Sequence, residues 1–394
     1  MFWEKEGKLI YSYDGETVCI EAWGKDALRV RATKNRSFTG RDWALEAKDA
    51  HAGEVEIFED PSAKGGAFAN MYEGTDTSYG KITNGKLHAV IDSGSVITFY
   101  HEDGRVLLKE HFRRLRDEES MPLNIMGREY SNGVGDNFRI VTRFVARKGE
   151  KIFGMGQYQQ HELDLKGCML ELAQRNSQVS VPFYLSSIGY GFLWNNPGVG
   201  QVMFANNGTE WVTESGKEID YLVIAGDTPA EIEENYMTLT GKPPMMPEYG
   251  MGFWQCKLRY WNQEQLLSVA RKYKELGVPL DVIVVDFFHW TKQGEFKFDP
   301  KYWPDVPGMC RELKEMGIQV VVSVWPTVDI YSENFEEMKE KGYLVRTEHG
   351  VPLTMLCGGN EVFFDATNPD ARTYVWEKIK KNYYDQGAKL FWLD

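Results

Sequence analysis

The sequence predicts a multidomain α+β protein, with an antiparallel β-sandwich over residues 1–242 followed by a parallel β/α domain over 243–394. Three observations predict this. Short β-rich runs separated by Gly, Asn and Asp turns fill the first part. Strand and helix patterns alternate in the second, as a parallel sheet with right-handed crossovers requires. Between them stands Lys242-Pro243-Pro244-Met245-Met246-Pro247, where three prolines in five residues can neither continue a helix nor join a central strand.

In chain order, the strands predicted for the first part are Lys8–Tyr13, Thr17–Ala22, Ala27–Ala32, Leu87–Ile91, Val96–Tyr100, Phe138–Ala146, Gln201–Ala205 and Tyr221–Ala225. Turns such as Asp14-Gly15, Asn84-Gly85 and Asp103-Gly104 punctuate them, and many short strands at near-regular spacing suggest a sandwich. Asp227–Thr240 breaks the pattern. Thr228-Pro229 opens it, glutamates fill its first turn and Gly241 ends it, which reads as one helix.

In the second part, Tyr249–Gln255 reads as a strand and Gln263–Leu276 as a helix. Strand Leu280–Asp286, helix Pro307–Met316, strand Gln319–Trp325 and helix Glu333–Lys341 follow. After an irregular stretch come helix Pro369–Asp385 and strand Ala388–Asp394. Val282–Val285 and Val320–Val322 are continuously apolar, as strands covered on both faces should be. A doubly wound sheet and a (β/α)8 barrel both fit, and in either one function collects at the C-terminal strand ends.

Composition narrows the function. At 42% hydrophobic and 26% charged, the 394-residue chain is globular, and no run approaches the length of a membrane span. A net charge of −13 without a Lys/Arg cluster argues against nucleic acid. No secretory signal is visible, and five scattered cysteines without a CxxC pair read as reduced thiols, so a cytoplasmic location is expected. The sequons at Asn35 and Asn207 are then chance matches. Aromatic residues reach 13%, many beside Asp, Asn, Gln and Gly. Flat rings interleaved with short polar groups suit a sugar, whose C–H faces stack while its hydroxyls need partners.

Motif chemistry is mostly negative. Gly154-Met155-Gly156-Gln157 begins like a dinucleotide fingerprint, but Gln159 stands where the third glycine belongs. His161-Glu162 lacks the second His of a zinc motif, and the seven histidines do not cluster, so neither metal nor cofactor is indicated. The strand ends are the exception. They read Trp254-Gln255-Cys256-Lys257, Asp286-Phe287-Phe288-His289-Trp290, Trp325-Pro326-Thr327 and Trp392-Leu393-Asp394. Each carries a Trp and two carry an Asp, which suits a ring-lined pocket and the paired carboxyl groups of glycoside hydrolysis.

These residues, with Phe153-Gly154-Met155-Gly156-Gln157-Tyr158-Gln159, Leu172-Ala173-Gln174-Arg175-Asn176 and Gly252-Phe253-Trp254-Gln255-Cys256-Lys257-Leu258-Arg259-Tyr260, resemble glycoside hydrolase family 31, the α-glucosidase and α-xylosidase family. The resemblance implies an N-terminal β-sandwich and a (β/α)8 barrel truncated here after its fourth strand. It makes Asp394 the catalytic nucleophile of a retaining mechanism and Asp286 a sugar-binding carboxylate. Trp325, Trp392 and Trp254 would line the pocket, and Lys257 and Arg259 would sit at its mouth. No cofactor is implied, and the acid/base Asp would come from a later strand. Phe288 resembles the α-xylosidase branch, where an aromatic ring excludes the exocyclic group of a hexose. The expected substrate is therefore an oligosaccharide or small α-xyloside. The alternatives are an α-glucoside or α-galactoside, or a carbohydrate-binding protein without catalysis, and a homo-oligomer is allowed.

Overall fold

The computed structural model describes residues 1–46, 49–61, 76–111, 113–115, 123–347, 349–354 and 360–394. The chain divides into two compact units, Met1–Pro243 and Pro244–Asp394.

The first unit is built on a large antiparallel sheet. Its strands run in the order Phe2–Lys5, Lys8–Tyr13, Glu16–Trp23, Ala27–Thr33, Ile219–Ala225, Tyr190–Trp194, Val179–Ser186 and Ile152–Gln157. Two smaller sheets contain Leu87–Asp92 and Ile97–His101 in one, and Phe138–Phe144 and Gly200–Ala205 in the other. One continuous core takes Leu9, Ile20, Val30 and Tyr221 from the large sheet, Ala89 and Phe99 from the second, and Ile140, Phe144 and Trp211 from the third. The layers are thus those of a sandwich. Rings fill it: Trp194 stacks on Trp211 at 5.5 Å, and Tyr221 meets Phe144 edge-on at 5.4 Å. The helix read from Thr228-Pro229 runs Pro229–Thr240, with the Thr228 hydroxyl accepting from the Glu231 N–H.

The glycine pair that resembled a phosphate loop serves packing instead. Gly154 and Gly156 lie in Ile152–Gln157 with φ of +114° and +89°, where the register against Val179–Ser186 shifts. A Cβ on Gly156 would stand 2.2 Å from the Val179 carbonyl oxygen, and one on Gly154 would stand 2.9 Å from that of Phe183. Only glycine allows this β-bulge to close.

The second unit contains a parallel sheet of β1 (Trp254–Gln255), β2 (Val282–Val285), β3 (Gln319–Val324) and β4 (Leu390–Leu393), paired in that order. Helices α1 (Gln263–Glu275), α2 (Val306–Glu315), α3 (Phe335–Glu340) and α4 (Pro369–Asn382) separate the strands. Leu266 and Ala270 of α1, Met309 and Leu313 of α2, and Val375 and Ile379 of α4 share one core with Ile283, Val285, Val320, Val322 and Val324. The opposite face carries a separate small cluster of Val282, Val284, Val321 and Leu390. Sequential strand order with helices on one face is the arrangement of a (β/α) barrel wall. A doubly wound sheet reverses its order and takes helices on both faces.

Two predictions need correction. Tyr249–Gln255 is not one strand, because Glu248–Met251 forms a 3-10 turn and β1 keeps only two residues. The cause is Asp281, whose carboxylate accepts from the Phe253 N–H at 3.0 Å and occupies the space a Cβ on Gly252 would need. Pairing therefore starts only at Trp254 opposite Val282. The stretch between Gly342 and Pro369 is not wholly irregular either, since Glu361–Phe363 within it pairs antiparallel with Thr327–Asp329.

Candidate active site

Side chains alternate across a strand, so register decides which residues share a face. Ile283, Val285, Val320, Val322 and Val324 pack on the helices, and Phe391 leans on the same core. Their neighbours therefore face the other way. Val284, Val321 and Leu390 form one layer there, since Val284 pairs with Val321 and Val321 with Leu390. One step up, Ser323 pairs with Trp392, and Asp286 follows Val285, the partner of Val322. Above them, Trp325 and Asp394 are level, because the Asp394 N–H donates to the Val324 carbonyl at 3.0 Å. The pleat thus gathers Asp286, Ser323, Trp392, Trp325 and Asp394 at the C-terminal end of one sheet face.

The two carboxylates differ in support. Asp286 is buried; its Oδ1 accepts from the Phe287 N–H at 2.7 Å and its Oδ2 from the Cys256 thiol at 3.6 Å. Burial and the Asp286 charge push that thiol up to about 11, so it stays protonated and donates. The segment after Asp286 is pinned from behind by His289. Its Nδ1 lies 2.9 Å from the Asp286 carbonyl, which can only accept, so Nδ1 carries the proton. The neutral ring then accepts at Nε2 from the Tyr383 hydroxyl, 2.9 Å away. Burial lowers the His289 pKa to about 4, which keeps this arrangement uncharged at neutral pH.

Asp394 has no cationic partner among the described residues within ion-pair distance. Partial burial raises its carboxyl pKa, and the Asp286 charge adds to the rise. The Trp325 indole N–H finds no acceptor at hydrogen-bond geometry, yet it lies close enough to favour the ionised form of Asp394 slightly. Two anions converging without a counter-charge create a field that favours positive charge between them. Such a field suits a reaction whose transition state is cationic.

Aromatic rings wall the mouth. Phe287 lies 5.2 Å from Trp325 and 4.3 Å from Phe288, centroid to centroid. Phe288 is exposed and has φ of +66°, a left-handed backbone that costs a bulky residue roughly 1–2 kcal/mol. Arg259 reaches it from the loop between β1 and α1, donating from Nη1 to the Phe288 carbonyl at 3.1 Å. Lys257 is exposed on the same loop. Trp254 stands apart from the other candidates. It pairs with Val282, four residues before Asp286, or about 13 Å along the strand, and its indole N–H donates to the Gly250 carbonyl.

Sequence reasoning missed Ser323, Cys256, Trp261 and the His289–Tyr383 pair as members of this site. A lone Ser inside the apolar run Gln319–Val324 was a usable signal for Ser323. His289 and Tyr383 lie 94 residues apart, and nothing local links them. Among the described residues no three His, Cys, Asp or Glu side chains converge as a metal would need.

Comparison with known proteins bears on this geometry. Residues 243–394 match the glycosyl hydrolases family 31 TIM-barrel domain, and residues 17–202 match the glycosyl hydrolase 31 N-terminal galactose mutarotase-like domain. The GH31 α-xylosidase from a soil metagenome, solved with xylose, superposes with a TM-score of 0.88 at 48% identity, covering 100% of this chain and 57% of that one. α-Xylosidase A of Aspergillus niger is 31% identical over 96% of this chain and 52% of its own length. The chain thus spans little more than half the length of these two relatives. An uncharacterized family 31 glucosidase of Pseudescherichia vulneris is 44% identical over 99% of this chain and 73% of its own length. A match of that identity, extending across both units and most of a relative, means that the chain belongs to glycosyl hydrolase family 31.

Proposed function

We propose that the protein is a retaining α-xyloside hydrolase in which Asp394 is the nucleophile and Asp286 the carboxylate that holds the sugar. The observation that carries this reading is the pair of strand-end carboxylates on one sheet face, uncompensated by any cation among the described residues and walled by Trp325, Trp392 and Phe288.

The chemistry follows from charge and position. The Asp394 carboxylate attacks the anomeric carbon, the glycosidic C–O bond breaks, and the leaving oxygen takes a proton from a carboxylic acid that the family's pattern places on a later strand. Positive charge grows on the ring carbon and oxygen as the bond breaks, and the two anions stabilise it. Water then attacks the same carbon, giving a proton back to the carboxylate that served as acid, and releases Asp394, so two inversions return the original α configuration. Asp286 accepts from sugar hydroxyls, while its bonds from Phe287 and Cys256 fix the carboxylate plane beforehand.

Phe288 supports the pentose. Glucose differs from xylose by a CH2OH on C5. An apolar ring near that carbon clashes with the group and leaves its hydroxyl unpaired, a difference of a few kcal/mol, or roughly tenfold for each 1.4 kcal/mol. The α-xylosidases among the relatives point the same way.

The test is kcat/KM of the full-length protein on p-nitrophenyl α-xyloside, α-glucoside and α-galactoside. The expected result is a preference for the xyloside of at least about tenfold. A comparable preference for either hexoside rejects the α-xyloside reading and leaves family membership standing.

A further inference from the structure

Among the described residues no carboxylate lies within 4.0 Å of the Arg259 guanidinium as an ion-pair partner. Its contacts are instead a carbonyl and two rings. Nη1 donates to the Phe288 carbonyl at 3.1 Å, and the guanidinium carbon lies 5.2 Å from the Phe288 ring and 4.0 Å from that of Trp261. Arg bridges such surfaces because its plane stacks on rings while its edge donates, which a Lys ammonium cannot do at once.

The loop that presents Arg259 is itself anchored. Tyr260 is 4% exposed and packs in the helix-side core, and the Trp261 N–H donates to the Gln265 side chain at 2.7 Å, one turn into α1. Arg259 is therefore held by the two residues that follow it. Phe288 lies between the anchored Phe287 and His289, but its own side chain is 54% exposed, with its backbone in a conformation that bulky residues avoid. Among the described residues its ring meets Phe287, its chain neighbour, and Arg259. The fixed element is the arginine and the strained one is the phenylalanine.

We infer that Arg259 is a specificity-positioning residue, which clamps Phe288 by its carbonyl and ring and so sets where that ring stands against C5 of the bound sugar. The inference rests on the α-xyloside reading of Phe288 and adds the device that makes an exposed, strained ring selective. Without the clamp, Phe288 relaxes toward ordinary backbone angles, the ring leaves the position that excludes a CH2OH, and discrimination between pentosides and hexosides falls. Arg259 acts through Phe288 and touches no reacting atom.

The experiment measures kcat/KM on p-nitrophenyl α-xyloside and α-glucoside for the full-length protein and for Arg259→Ala, Arg259→Lys, Phe288→Ala and the Arg259→Ala/Phe288→Ala double variant. The xyloside-to-glucoside ratio should fall about tenfold in Arg259→Ala and less in Arg259→Lys, which keeps the charge but loses the plane. The double variant should have the ratio of Phe288→Ala alone, because a residue acting only through that ring has nothing left to act on. General destabilisation lowers both substrates in proportion and does not move the ratio. A ratio within about twofold of the parent in both Arg259 variants, or additive effects in the double variant, overturns the inference. The parent protein is the separate control, since a parent without xyloside preference overturns the α-xyloside reading itself.

Discussion

Charge is handled in opposite ways in the two units. In the sandwich, the Arg128 guanidinium donates to both Glu16 oxygens at 3.0 Å, to Glu110, and to the Ser95 hydroxyl at 2.7 Å. Burial works against its charge, but Glu110 and Glu16 outweigh burial and raise its pKa. Arg29 is treated alike, fork to fork with Asp220 at 2.9 and 2.6 Å. At the strand ends of the barrel unit, burial and Asp286 both push the Asp394 carboxyl up, and only the nearby Trp325 indole opposes them. A charge that serves the fold is neutralised in place. The charge proposed to serve the reaction is left for a substrate to meet.

That contrast predicts what each charge does when removed. The largest effect should come from Asp394→Asn, which keeps the shape and deletes the negative charge. Turnover of an aryl α-xyloside should drop by at least about a thousandfold with little change in the melting temperature. A variant keeping more than about a tenth of the parent rate places the nucleophile elsewhere. In the sandwich the reverse is expected. Arg128→Met leaves Glu16 and Glu110 buried without their cation and should destabilise the unit by about 3–5 kcal/mol in urea unfolding. An undiminished unfolding midpoint would show that the network contributes nothing to the fold.

Smaller effects sharpen the division inside the site. On the proposed role of Asp286, Asp286→Ala removes an acceptor for sugar hydroxyls, each bond worth roughly 1.5–3 kcal/mol when charge-assisted. A deoxy substrate lacking the contacted hydroxyl should lose little more in the variant, and equal losses for parent and deoxy substrates contradict the role. The smallest effect concerns pH. As the proposed nucleophile Asp394 would have to be ionised, and its pKa is raised by burial and by Asp286, so activity should be lost as pH falls through that raised value. Asp286→Asn removes the second cause, so the acid limb of the kcat/KM profile should move to lower pH. A limb that stays put or moves up means the two carboxylates do not interact.

Much of this was legible in the sequence because it is written in local patterns. Lys8–Tyr13 is a short β-rich run closed by Asp14-Gly15, β2 is apolar throughout, and β3 contains the apolar run Val320–Val322. Asp286 and Asp394 were visible as the residues that end such strands. What was not legible depends on distant chain. β1 is short because Asp281, 28 residues from Phe253, takes over its N-terminal bonding. The pairing of Thr327–Asp329 with Glu361–Phe363 spans a long insertion that has no strand alternation of its own. The left-handed Phe288 could not be read from a Phe, which local sterics place elsewhere; Arg259, 29 residues away, holds it. Trp254 shows the converse error. Its place in the sequence suggested the pocket, and the register puts it at the far end of the strand pair.

The most direct test of the account is to trap the glycosyl-enzyme. The full-length protein would be treated with a fluorinated xylosyl fluoride, whose electron-poor ring slows breakdown of a covalent intermediate, then digested and read by mass spectrometry. The account predicts one xylosyl label per active site, carried on Asp394 within Phe391-Trp392-Leu393-Asp394 and suppressed by free xylose. A label on any other side chain, or inactivation with Asp394 unmodified, would contradict it.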